Sequence, residues 1–195
     1  MIFSKYLNNF TSIISKTIIT DNKQNNMSID DGIREYLQIA KICTNDDGQI
    51  FFIGNGGSAG ISSHMAIDYT KNGKLRSRAL TDGSALTCIG NDIGFDSIFS
   101  EQLIFYSKPN DLLIAISSSG NSKDIINAVN YAKLNKLKVV TFSGFKADNN
   151  LRALGDINFY VNSMEYGTVE IGHSLLLHAA LDIHNYKSKN LKKIL

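Results

Sequence analysis

Two segments of the chain concentrate groups able to hold a phosphorylated ligand. Ser117-Ser118-Ser119-Gly120-Asn121-Ser122 follows the apolar run Leu112 to Ile116 and precedes a helical pattern opening near Lys123. Serine hydroxyls together with backbone N–H groups at a helix N-terminus form a phosphate-monoester site without a cationic cluster. Gly54-Asn55-Gly56-Gly57-Ser58-Ala59-Gly60 follows a second apolar run, Ile50 to Ile53. Its glycines let the backbone approach a ligand closely. The segment is neither the dinucleotide fingerprint, spaced G-x-G-x-x-G, nor a P-loop, because no Gly-Lys-Ser/Thr follows. Each loop alone could be a plain strand-to-helix turn, with Ser122 as a helix cap. Two of them at one edge of one sheet point to a ligand.

The groups that could move protons or hold a metal lie elsewhere. His64 and Asp68 are four residues apart in a helical segment, so they share a face. That spacing suits two ligands of one ion, or a base and its orienting partner. Glu170, His173 and His178 fall in an apolar helical stretch from about 168 to 186, where an unpaired polar group is costly. His173 reads as a core histidine with a partner, His178 as a functional one, and Asp182 and His184 as surface residues. Glu170 and His178 are separated by about 12 Å of helix axis, too far for one ion with bonds of about 2 Å to gather both easily. Either Glu170 precedes the helix proper, or the two come from different protomers.

Elements must now be found to position these groups. The chain has 195 residues, 43% apolar and 19% charged, with one proline, which excludes a disordered or collagen-like chain. The net charge of +2 and the lack of a basic run argue against a nucleic-acid partner. No stretch approaches the roughly 20 apolar residues of a membrane span, so no membrane partner is expected and a cytoplasmic location is. Cys43 and Cys88 read as reduced core thiols. Apolar runs at 50–53, 77–80, 112–116, 137–142 and 157–160 read as strands, and the segments between them are long enough for crossover helices, the clearest being Asp124 to Leu134. The reading is a single domain: a doubly wound α/β unit over 46–195 with an N-terminal helical extension over 1–45. In that extension Ile2, Tyr6, Phe10, Ile13, Ile14 and Ile18 mark one helix, and Thr20 to Asn26 is a connector. A second helix opens at Ser28 and buries Ile33, Tyr36, Leu37 and Ala40. These helices are expected to pack on the core, on a second protomer, or on both. The final helix is apolar nearly all round and should be buried on most sides, within an oligomer.

Gly54-Asn55-Gly56-Gly57-Ser58-Ala59, then His64, then Ser84-Ala85-Leu86-Thr87-Cys88-Ile89-Gly90-Asn91-Asp92, then Ser117 to Ser122, resembles the sugar isomerase (SIS) domain family, and within it the bacterial phosphoheptose isomerases. The resemblance covers residues 28 to 185. It implies a flavodoxin-like, three-layer fold with a five-stranded parallel sheet, a homotetramer with active sites between protomers, zinc in those sites, and no organic cofactor. It implies conversion of a phosphorylated seven-carbon sugar, sedoheptulose 7-phosphate to D-glycero-D-manno-heptose 7-phosphate, for lipopolysaccharide or capsule. Carried across, the substrate-binding positions are Asn55, Gly56, Gly57, Ser58, Asn91, Asp92, Ser117, Ser118, Ser119, Ser122 and Glu170. Asp68 and His178 are the acid/base pair, and His64, Asp68, Glu170 and His178 the metal ligands. The chain departs from the family where it has Asp68 for the usual Glu, Glu170 for Gln and Ser118 for Thr. The ligand set then carries one more negative charge, which tilts it toward manganese or iron. The alternatives are a non-catalytic SIS-fold adaptor binding the replication-initiator protein, whose catalytic Glu and His positions are typically lost, and another sugar-phosphate isomerase or sensor. Ionisable Asp68 and His178 favour the enzyme.

Overall fold

Side-chain alternation in the central strand decides the layers. In β3 (Ile50–Gly54), Ile50 and Phe52 enter one apolar cluster and Phe51 and Ile53 the other, all fully buried. A strand buried on both faces belongs inside a helix-covered parallel sheet. The computed structural model describes the backbone of residues 1–189 and side chains through residue 186. It pairs β3 in parallel with β4 (Ser77–Ala79) on one side and with β5 (Leu112–Ser117) on the other. β6 (Lys138–Ser143) and β7 (Ile157–Tyr160) continue the parallel sheet beyond β5.

Crossover helices cover both faces. α3 (Gly57–Lys71) links β3 to β4, α4 (Gly83–Asp92) and α5 (Ser100–Tyr106) link β4 to β5, and α6 (Lys123–Leu134) links β5 to β6. The long α7 (Tyr166–Lys189) closes the chain. Helices α4, α5 and α6 lie on one face of the sheet, α3 and α7 on the other, which gives three layers. Numbered among the parallel strands alone, the order is 2-1-3-4-5, the flavodoxin-like arrangement. Its switch point falls between β3 and β5, whose carboxyl ends carry the glycine and serine loops. The five expected strands are present with boundaries close to those read from sequence.

The N-terminal region departs from expectation. α1 (Ile2–Ile14) and α2 (Ile29–Asn45) form, the latter capped by Ser28 Oγ, which accepts from the Asp31 N–H, and burying Ile33, Tyr36, Leu37 and Ala40. Thr20 to Asn26 is not a connector. β1 (Ile18–Asp21) and β2 (Asn26–Met27) form a hairpin, and β1 pairs antiparallel with β7, making a seven-stranded sheet. Ile18, Ile19 and Thr20 are β-branched and suit a strand, the Asp21 carboxylate closes the turn by accepting from the Lys23 and Asn25 N–H groups, and β1 covers the bare edge of β7. Ile18 therefore belongs to the sheet and not to the first helix.

One further expectation changes. Cys43 is buried, and burial pushes its thiol up to about 11, but Cys88 is exposed on α4. On α1 only Ile14 is buried, while Ile2 and Phe3 are 90% and 74% exposed. On α7, Val169, Leu176, Leu177, Ala180 and Leu181 are buried, but Ile171 and Leu175 face outward. No helix among the described residues is long and apolar enough to cross a membrane.

His173 is a core residue, as its setting in the sequence implies. Its Nε2 lies 3.0 Å from the Ser143 carbonyl, which can only accept, so Nε2 carries the proton. Nδ1 has no hydrogen-bond partner among the described residues. Burial lowers its pKa from 6.5 to about 4, with the Ser143 bond opposing the shift. The folded chain therefore keeps His173 neutral where the unfolded chain protonates it, so stability falls as pH drops from 6.5 toward 4. By pH 5 this group alone should cost about 2 kcal/mol. Urea unfolding of the wild type and His173→Gln should show the wild type losing that much relative to the variant between pH 7 and 5; a pH-independent difference would contradict it.

Candidate active site

The glycine loop is shaped by two positions. Gly56 caps α3 at φ +53° and ψ −121°, a conformation that suits glycine. At Gly57 any Cβ would collide with the Glu170 carboxylate of α7, so glycine is what lets that side chain reach the loop. The serine loop is bound largely to itself. Gly120 N–H donates to Ser117 Oγ at 3.2 Å, Asn121 N–H to Ser119 Oγ at 3.3 Å, and Ser117 Oγ lies 3.5 Å from Ser122 Oγ. Ser122 occupies the N-cap of α6 yet makes no side-chain capping bond, so its hydroxyl is not consumed by the helix. Ser118 Oγ is buried and has no partner among the described residues.

Together the loops line a cavity of about 250 Å³, with Asn55, Gly56, Gly57, Ser58, Ser117, Ser118, Ser119, Ser122, Tyr166 and Glu170 in its wall. No lysine or arginine lines it. Hydroxyls and N–H groups are the donors an anion would meet. Asn91 and Asp92, at the end of α4, are exposed and do not line this cavity; Asn91 Nδ2 donates to Asp92 Oδ1 at 2.8 Å. Tyr166 enters the wall unannounced by any sequence signal.

The second group assembles farther along the same helices. α3 and α7 run side by side in the same direction: Gly57 meets Glu170, His64 meets His178, Tyr69 meets Leu177, and the Gly73 carbonyl lies 3.0 Å from His184 Nε2. His184 is thus tied to the turn that follows α3 and is not a free surface residue. Tyr69 Oη donates to the Leu177 carbonyl at 3.1 Å and accepts from Tyr36 Oη at 2.8 Å, fixing the turn of α7 that carries His178. Burial raises both phenols above the ordinary tyrosine range.

His64 Nε2 lies 3.3 Å from Asp68 Oδ2, the rings of His64 and His178 are 5.2 Å apart, and one donor atom from each of the three residues falls within 4.8 Å of the others. Donors around one tetrahedral ion with bonds of about 2.1 Å stand about 3.4 Å apart. The His64–Asp68 pair already has that spacing, and a small side-chain movement brings His178 to it. Two imidazoles and a carboxylate are a donor set that suits zinc with a position left open. Asp68 Oδ1 accepts from Asn72 Nδ2 at 3.2 Å, which orients the carboxylate. Beside Asp68 and His178 opens a cavity of about 630 Å³ whose wall includes Lys41, Lys71, Lys74 and His184.

Glu170 does not join this group within one chain. It lies inside α7 rather than before it, about 12 Å along the axis from His178, and sits at the glycine loop instead. Of the two arrangements open at the level of sequence, only the one drawing on a second protomer can place it on the same ion.

A flavodoxin-like sheet with glycine and serine loops at its switch point defines the class, and the SIS-domain family model matches residues 5–144, taking in α1 and α2. The chain belongs to the phosphoheptose isomerase family within that class. It is 38% identical over 148 residues to the phosphoheptose isomerase of Neisseria gonorrhoeae, covering 72% of this chain and 75% of that protein. The phosphoheptose isomerase of Campylobacter concisus is 38% identical over 136 residues, 67% of this chain and 71% of its own. The solved structure of phosphoheptose isomerase from Neisseria gonorrhoeae superposes with a TM-score of 0.77 at 31% identity, over 94% of this chain and 99% of that one.

The serine loop can be tested directly. Ser119→Ala combined with Ser122→Ala removes two donors to a phosphate, each worth about 1.5–3 kcal/mol. KM for a phosphorylated substrate should rise by at least an order of magnitude while the thermal midpoint stays put. An unchanged KM would remove the loop from the site.

Proposed function

We propose that the protein is an aldose–ketose isomerase interconverting sedoheptulose 7-phosphate and D-glycero-D-manno-heptose 7-phosphate, in the supply of heptose for lipopolysaccharide or capsule. Family membership supports this reading. So does one observation above the others: two ionisable groups from separate helices, Asp68 and His178, come together beside a ligand-sized cavity. A non-catalytic adaptor has no use for that pair.

In this reading the serine loop holds the phosphate and Asn55 contacts the sugar, while Asn91 and Asp92, which line neither cavity of their own chain, would reach it only across a protomer boundary. Anchoring the phosphate keeps the reacting carbons in register with the acid/base pair. Asp68 takes a proton from C1 of the ketose as His178 hands one to the O2 carbonyl oxygen, giving the enediol. Asp68 then returns its proton to C2 as His178 takes the O1 hydroxyl proton, giving the aldose. No organic cofactor is required. A divalent metal, zinc or a somewhat harder ion, fits His64, Asp68 and His178 and when bound supplies Lewis-acid polarisation of the sugar oxygens. Glu170 of a neighbouring protomer completes the ligand set. That arrangement calls for an oligomer, which we take to be a homotetramer with sites between subunits. The outward-facing Ile171 and Leu175 on α7 and Ile2 and Phe3 on α1 are the apolar surfaces it would cover. We place the enzyme in the cytoplasm.

Incubation with sedoheptulose 7-phosphate should yield the aldoheptose, carrying deuterium at C2 when the reaction is run in deuterated water, in those turnovers where the proton on Asp68 exchanges with solvent before it is returned. Absence of product would overturn the assignment. Asp68→Asn keeps the shape but removes the proton acceptor, so kcat should fall roughly 10²–10⁴-fold with KM little changed; wild-type turnover would take Asp68 out of the chemistry. Light scattering at micromolar concentration should give a mass of four chains, and a monodisperse monomer would exclude the shared site.

A further inference from the structure

Asp124 is a buried carboxylate to which the catalytic scheme gives no role. It is the second residue of α6, only 2% exposed, and no lysine or arginine among the described residues pairs with it. Its Oδ2 accepts from Asn55 Nδ2 at 2.7 Å. That bond spans the sheet's switch point, tying the glycine loop after β3 to the helix after the serine loop. Asn55 lines the 250 Å³ cavity and Asp124 does not, so the carboxylate reaches a ligand only through the amide.

A buried, unpaired carboxylate is an expensive brace. Burial raises the Asp124 pKa, and the bonds from Asn55 and from the backbone N–H groups of Ile125 and Asp124 pull it back down. An asparagine at 124 would join the loops with less desolvation. What an asparagine cannot do is hold the N–H side of the Asn55 amide toward it, because its own NH₂ can take the carboxylate's place. An ionised carboxylate only accepts, so it admits only the Asn55 N–H side, and the amide must turn Oδ1 away.

We propose that Asp124 is a positioning residue that fixes the Asn55 amide with its oxygen toward the sugar, as an acceptor for a substrate hydroxyl. This rests on the sugar-phosphate reading of the cavity and names the part of the substrate that Asn55 reads: a hydroxyl of the carbon chain, not the phosphate. In Asp124→Asn the side-chain oxygen stays on the backbone N–H groups of α6. Its NH₂ then faces Asn55, whose amide must invert and present N–H to the sugar.

The test compares wild type, Asp124→Asn and the exchange variant Asn55→Asp/Asp124→Asn, in which the amide at 124 donates to a carboxylate at 55 that again presents oxygen outward. Each is measured for thermal midpoint, affinity for inorganic phosphate, and kcat and KM for sedoheptulose 7-phosphate. Asp124→Asn should bind phosphate as the wild type does, while KM for the sugar phosphate rises about tenfold, the size of one mispaired hydrogen bond. The exchange should recover most of that loss. An unchanged KM, phosphate affinity weakening in step with KM, no recovery in the exchange variant, or unfolding of both variants would each reduce Asp124 to a structural brace and overturn the proposal. Wild-type protein that binds phosphate but does not turn over the heptose would instead defeat the isomerase assignment. The same three proteins would then be compared by calorimetric binding of a shorter ketose phosphate, with the same pattern expected.

Discussion

Tyr69 gives its buried hydroxyl proton to the Leu177 carbonyl, and through that bond the two site helices keep their register. Both phenols of the Tyr36–Tyr69 pair are fully buried. Leaving either hydroxyl unsatisfied would cost about 1–3 kcal/mol, so the pair tolerates no slippage of α7 along α3. A shift of a single residue, about 1.5 Å, would break the bond, part His178 from His64 and move Glu170 off Gly57. One hydrogen bond deep in the helix layer thus governs both chemical clusters.

The clusters differ in electrostatic character. The serine cavity has no cation in its wall and carries the carboxylate of Glu170. Affinity for an anion there must come from the geometry of hydroxyls and N–H groups, which fits a chain whose net charge is only +2. The cavity beside Asp68 and His178 is rimmed by Lys41, Lys71 and Lys74.

The shorter carboxylate at position 68 finds its bonds nearby. Asn72 and His64 lie one turn along α3 on either side of it and both reach it. Asp68 is therefore oriented by its own helix, and its distance to a substrate is set by where α3 sits. Glu170, which the resemblance sets against a usual Gln, is accommodated by the missing side chain of Gly57.

Much of this protein was legible in its sequence. Runs without strict polar alternation marked β3, β5 and β6, as expected of strands covered on both faces. The glycine and serine loops followed from their place after those runs, and the i, i+4 pairing of His64 and Asp68 from helix geometry alone. Local pattern could not give the pairing of α3 with α7. His178 lies more than a hundred residues from His64, and nothing in either segment encodes which helix packs on which. The hairpin at 18–27 escaped for a similar reason, since Ile18 reads equally well as the end of a helical stripe until the bare edge of β7 is there to pair with. In the sequence Asp124 merely opens the crossover helix read over Asp124 to Leu134; only the fold, by closing the β3 loop over α6, made it the buried partner of Asn55. Sequence fixes what each segment can form by itself, whereas the long-range partner of a buried group is chosen by packing, which depends on the whole chain at once.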